Sequence, residues 1–153
     1  MNLTITPLSD YEIGDLIHES DRTVVYRAVA KTNAQPVVIK LMRNQFPSFS
    51  ELVQFRNQYT IARNLSVEGI VQPLALLNYQ NGYALIMPDF GSISLGQYYQ
   101  KFSPETQEIS LFLNIAIEIA EIVYQLHQNR IIHKDIKPAN ILINPETKQV
   151  KII

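Results

Sequence analysis

The reading turns on IIHKDIKPANILI, residues 131–143, which sets a His, two Lys, an Asp and an Asn between two runs of isoleucine and leucine. The apolar runs anchor the segment in a core and leave the polar side chains in a loop. Asp135 can accept a proton from an attacking hydroxyl, and the side-chain oxygen of Asn140 is a hard ligand suited to Mg²⁺. Lys137, two residues after the Asp, would neutralise charge on a transferring phosphoryl group. Pro138 fixes one φ angle and helps the loop hold a single shape. Phosphoryl transfer needs these roles, because its catalysis is positioning plus electrostatic stabilisation.

Upstream, TVVYRAVA (23–30) and PVVIKLM (36–42) are rich in β-branched and aromatic residues, and the turn-forming KTNAQ between them predicts an antiparallel hairpin. In ELVQFRNQYTIARNL (51–65), Leu52, Phe55, Tyr59, Ala62 and Leu65 recur at the period of an amphipathic helix. IVQPLALL (70–77) and YALIMPDF (83–90), joined by NYQNG with its Asn-Gly dipeptide, read as two more strands. Ser103, Pro104 and Glu105 form a helix start signal, and from there to His127 apolar residues on more than one face predict a helix buried in a core. NILI and VKII around NPETKQ read as a small hairpin. Five strands with one helix, followed by a helical region, predict an α+β chain of two unequal lobes.

Composition narrows the function. Of the 153 residues, 46% are hydrophobic and 18% charged, as in an ordinary soluble globular domain. A net charge of -1 provides no basic field, so nucleic acid is not expected as a partner. The absence of cysteine excludes disulfides, thiol nucleophiles and thiolate zinc sites. His18, His127 and His133 have no metal-ligand spacing. No signal peptide is apparent in the first residues. ISLFLNIAI, bracketed by Glu108 and Glu118, falls short of the roughly 20 residues that span a bilayer, so no membrane is expected and the chain reads as cytoplasmic.

The loop His133-Lys134-Asp135-Ile136-Lys137-Pro138-Ala139-Asn140 resembles the catalytic loop of protein kinases, H-R-D-L-K-P-x-N. VVIK (37–40) is similar to the family's V-A-I-K, and the segment from Tyr11 to Ala28 resembles its first two strands and phosphate loop. IMPDF (86–90) matches the linker between the lobes. The resemblance covers nearly the whole chain and implies a protein-kinase-like two-lobe fold. Residues 1–90 would form the N-lobe, a five-stranded antiparallel sheet plus one helix. Residues 91–153 would form the truncated start of a mostly helical C-lobe.

It also implies ATP and Mg²⁺ as cofactors, with Lys40 gripping the α- and β-phosphates, Asp135 as base, Lys137 as charge neutraliser and Asn140 as metal ligand. Ile17, Val25, Val38 and Leu142 would sandwich the adenine, and Met87 would guard the back of its pocket. The carbonyl of Pro88 would accept from the adenine amino group and the N–H of Phe90 would donate to the ring. Lys137 leans the resemblance toward serine/threonine kinases acting on protein hydroxyls. YEIGDLIHES and RNLSVEGIVQPLAL look like the N-terminal kinase domain of large bacterial multidomain sensor proteins, in which further signalling domains follow.

The chain departs from the family pattern at several points. Aligned on Val25, the three glycine positions of the phosphate loop hold His18, Ser20 and Thr23, so fewer backbone N–H groups should reach phosphates. Gln58 stands where the family has the helix Glu that pairs with the strand Lys, so Lys40 should be positioned by an amide. Lys134 replaces an Arg whose fork a Lys cannot reproduce, making control by activation-loop phosphorylation less expected. VKII, which in the family leads into D-F-G, ends the sequence, so the chain is expected to be a fragment without phosphotransferase activity of its own. Two alternatives stand beside a serine/threonine kinase: a pseudokinase regulatory or docking module, and a small-molecule phosphotransferase of the same fold.

Overall fold

Alternation of side chains builds the first sheet. In the computed structural model, which describes residues 8–102 and 109–153, β1 (Tyr11–Glu19), β2 (Thr23–Ala30) and β3 (Pro36–Met42) follow one another as antiparallel neighbours. β4 (Ala75–Tyr79) and β5 (Gly82–Pro88) complete a five-stranded antiparallel sheet in the order β1-β2-β3-β5-β4. Period-two burial on β3 sends Val37, Ile39 and Leu41 to one face, where they pack with Ala28, Leu77, Ala84 and Ile86.

Helix α1 (Phe49–Arg63) starts two residues before the predicted position, because Ser48 and Glu51 form a reciprocal capping box. Phe55 is its one buried residue. The β4–β5 hairpin turns at Gln80 and Asn81, inside the expected NYQNG, with Tyr79 opposite Gly82. Gln80 takes the positive φ, 51°, that this tight connection requires.

Two compact units result: residues up to Leu65 with Gln72–Asp89, and Ser66–Val71 with Phe90–Ile153. The strand expected over residues 70–77 is divided between them. Ile70 bridges Ile152 in parallel and the Val71 N–H bonds to the Ile152 carbonyl, whereas β4 begins only at Ala75. Pro73 lies between; it has no N–H to donate and interrupts any continuous ladder.

The second unit contains β6 (Ile93–Ser94), α2 (Leu95–Lys101), α3 (Ile109–Gln128), β7 (Ile141–Ile143) and β8 (Val150–Ile152). β6, β7 and β8 form a three-stranded antiparallel sheet that includes the expected NILI/VKII hairpin. Ser94 and Gln97 make a second capping box at the start of α2. Gly69 lies against α3 so closely that a Cβ there would come within 2.0 Å of Ile122 Cγ1.

α3 departs from expectation. Ser103, Pro104 and Glu105 lie outside the described residues. Rather than being buried all round, α3 buries Ile115, Ile122 and Leu126, while Ile109, Phe112, Leu113, Ile117 and Tyr124 are exposed among the described residues. At 20 residues it is also long and apolar enough, by length and composition, to cross a membrane, unlike the nine-residue run read from the sequence. The helix continues through Glu118, whose carboxylate accepts from the Val150 N–H at 3.3 Å.

Candidate functional site

Opposite the packed face of the first sheet lies a second face. Val38 and Lys40 alternate with the core residues of β3 and point there. Val25 and Leu85 are the register partners of Lys40, and Met87 is the partner of Val38. Directly opposed residues share a face, so Val25, Val38, Lys40, Leu85 and Met87 form one surface. Met87 is buried, while Val25 and Val38 are half-buried. Ile17 falls at the register shift between the Leu16–Tyr26 and His18–Val25 pairs. Pro88 ends β5 opposite Val37, and the Asp89 N–H donates to the Pro36 carbonyl.

Gln58 meets this surface. Lys40 Nζ donates to Gln58 Oε1 at 3.1 Å and lies 5.8 Å from the centroid of the Phe55 ring. Helix α1 therefore offers the ammonium an amide oxygen and an aromatic face.

The three non-glycine positions run from the end of β1 across the turn to the start of β2. His18 remains in β1 opposite Val25. The Ser20 N–H donates to the Thr23 carbonyl at 2.9 Å, and the Thr23 N–H donates to Ser20 Oγ at 3.1 Å. The Ser20 and Thr23 hydroxyls are also within 3.2 Å of each other. Arg43, just past β3, sends Nη1 to the Ser20 carbonyl at 3.2 Å and to Glu19 Oε1 at 3.0 Å.

In the second unit the polar loop closes on itself. Asp135 Oδ2 accepts from Lys137 Nζ at 2.8 Å and from Asn140 Nδ2 at 2.7 Å, and Asn140 Nδ2 also reaches the Asp135 carbonyl at 2.8 Å. The Lys137 bond, then the Asn140 bond, hold the Asp135 carboxyl below the usual carboxylate range. Both partners are more than half exposed, so the ion pair organises the loop more than it stabilises the fold. The Asp135 N–H donates to His133 Nδ1 at 3.3 Å; the neutral ring then carries its proton on Nε2, which donates to the Ile153 carbonyl at 3.0 Å. Lys134, between them, takes φ +68°. Histidine spacing alone gave no sign of this brace.

Leu142 is half-buried between buried Ile141 and Ile143 and pairs with Ser94 and Lys151. The Phe90 carbonyl accepts from Asn144 Nδ2, and its ring lies 5.3 Å from Lys151 Nζ. Asp89-Phe90-Gly91 spells the family's metal-binding tripeptide, yet it precedes the loop, and Asp89 pairs with Arg27 Nε at 3.2 Å.

No cluster of three or more His, Asp or Glu suited to a metal occurs among the described residues. Asn140 spends its amide N–H groups on Asp135, leaving Oδ1 without a hydrogen bond among the described residues. A Mg²⁺ completed by phosphate oxygens fits that donor, because this ion commonly takes few protein ligands.

Comparison with known proteins agrees with the motifs. The profile described as "Protein kinase domain" matches residues 11–153. The chain is 29% identical to the serine/threonine-protein kinase TIO of Arabidopsis thaliana, over 89% of this chain and 10% of that protein. It is 30% identical to the serine/threonine-protein kinase PrkC of Bacillus subtilis, over 88% of this chain and 20% of that protein. With the serine/threonine/tyrosine-protein kinase HT1 of Arabidopsis thaliana it shares 27% identity, over 92% of this chain and 37% of that protein. The chain thus spans well under half the length of these relatives.

Proposed function

Since the chain belongs to the protein kinase domain family, we propose that it is the ATP-binding and catalytic-loop portion of a serine/threonine kinase that phosphorylates protein hydroxyls. The observation that carries this reading is the loop in which Asp135 is held ionised by Lys137 and Asn140. An ionised carboxylate accepts the proton of a seryl or threonyl hydroxyl as that oxygen attacks the γ-phosphorus and the bond to the β-phosphate oxygen breaks. Lys137, already beside the carboxylate, neutralises charge on the transferring phosphoryl group. Lys40 anchors the α- and β-phosphates, positioned by Gln58, and Val25, Val38 and Met87 supply an apolar surface for adenine, with Ile17 and Pro88 adding to it. Asn140 Oδ1 would hold Mg²⁺, which supplies Lewis-acid neutralisation of phosphate charge when bound.

In this reading residues 1–90 are the N-lobe and 91–153 the first part of the C-lobe. The working protein is cytoplasmic, and further signalling domains accompany the kinase. The test is phosphate transfer by the full-length protein: Asp135→Ala and Lys40→Met should each abolish it, and full activity in Asp135→Ala would overturn the reading.

Two observations favour a second reading, a pseudokinase that docks or regulates: the self-closed turn at Ser20 and Thr23, and the amide that Gln58 presents to Lys40 in place of a carboxylate. Thermal stabilisation by ATP with Mg²⁺ separates the two. A shift of several degrees supports a working site, and none supports the docking module.

A further inference from the structure

In the β1–β2 turn, a phosphate cradle would present backbone N–H groups to its ligand. Here two of them are already spent. The Ser20 N–H is given to the Thr23 carbonyl and the Thr23 N–H to Ser20 Oγ, while the two hydroxyls lie against each other. Ser20 Oγ also lies 3.2 Å from the Thr23 carbonyl, so both residues bond one another through main chain and side chain. The turn is also tied at its base. The Arg43 N–H donates to the Arg22 carbonyl at 2.9 Å, and its guanidinium holds the Ser20 carbonyl and the Glu19 carboxylate.

We propose that the β1–β2 turn is a self-closed clasp that withholds its N–H groups from a nucleotide's phosphates, with Arg43 as the positioning residue that latches it. The proposal rests on the nucleotide-binding reading above and adds to it. The departure from glycine here is a built alternative structure, in which the Ser20 hydroxyl and the Thr23 carbonyl satisfy the donors a phosphate would otherwise take. Ser20 is its keystone, because one oxygen serves the Thr23 N–H, carbonyl and hydroxyl together. Opening the clasp should free the Thr23 N–H and raise nucleotide affinity.

The test has two separate readouts on the intact chain. Hydrogen exchange without nucleotide reads the clasp itself. Ser20→Gly should speed exchange at the residue 23 amide roughly tenfold, the factor one lost hydrogen bond allows. Ser20→Thr, which keeps the hydroxyl, should restore slow exchange. Arg43→Met should speed exchange at the Ser20 amide by a smaller factor, since its own N–H still holds the Arg22 carbonyl. Binding of trinitrophenyl-ATP with Mg²⁺ reads the consequence, and Ser20→Gly should bind about threefold to tenfold tighter than wild type. Unchanged exchange in Ser20→Gly overturns the clasp. Faster exchange with unchanged or weaker nucleotide binding overturns the withholding. Failure of both proteins to bind the probe removes the nucleotide reading and the withholding with it, while the exchange data still decide the clasp.

Discussion

The hydrogen bond from Lys40 to Gln58 makes a quantitative prediction about charge. Gln58→Glu is nearly isosteric and would place a carboxylate oxygen near 3.1 Å from Lys40 Nζ, where the amide oxygen now sits. At that separation, with an effective dielectric near 20, the gross Coulomb attraction is about 5 kcal/mol. Both side chains belong to half-buried residues, so desolvation removes most of it. A net coupling of about 1–2 kcal/mol should remain, against about 0.5–1 kcal/mol for the existing neutral-acceptor bond. For a chain of this length, 1 kcal/mol moves Tm by roughly 2–4 °C. The assay is a double-mutant cycle by thermal unfolding at neutral pH on wild type, Gln58→Glu, Lys40→Met and the double variant. Gln58→Glu should raise Tm in the wild-type background and lower it in Lys40→Met, where the new carboxylate faces the sheet without its cation. The same change in Tm in both backgrounds would refute the pairing of α1 with β3 through these two residues.

Gly69→Ala should destabilise the second unit by about 1–3 kcal/mol, because the new methyl meets the Ile122 side chain at 2.0 Å; chemical denaturation would measure it. Ser48→Ala removes the capping box of α1 and should cost about 1 kcal/mol by the same measurement. Lys137→Met should raise the Asp135 pKa toward the ordinary value, since the Lys137 bond is the largest cause of its depression; carboxyl carbon NMR reads this directly. The sign for stability follows from the lowered folded-state pKa. Asp135 contributes above the unfolded carboxylate value of about 3.9, and the contribution is lost as pH falls through the folded value. Exposure keeps that contribution under about 1 kcal/mol, and it should shrink in Lys137→Met.

What the sequence made legible follows the range of the interactions involved. β2 and β3 were readable to the residue, because β-branched alternation and the intervening turn are local signals. α1 began earlier than expected because its periodicity was weighed and the Ser48-to-Glu51 cap was not. β6 and α2 were not foreseen; each is short, and their one signal was the Ser94-to-Gln97 capping box. Periodicity on α3 showed which residues are apolar but not which are covered, since covering depends on segments distant in sequence. At the site, Asp135, Lys137 and Asn140 could be grouped in advance because six consecutive residues contain them. Lys40 and Gln58 could be paired only through the family's spacing. The clasp at Ser20 and Thr23 was invisible as a structure: it depends on Arg43, 23 residues from Ser20, and no pattern in the turn announces that contact.

As the proposed base of phosphoryl transfer, Asp135 should be required for transfer of radiolabelled γ-phosphate from ATP to protein serine or threonine by the full-length protein. The wild-type protein should transfer phosphate measurably, and Asp135→Ala should lose at least about a hundredfold, within the range general-base catalysis supplies. Transfer by Asp135→Ala within twofold of wild type would contradict that role.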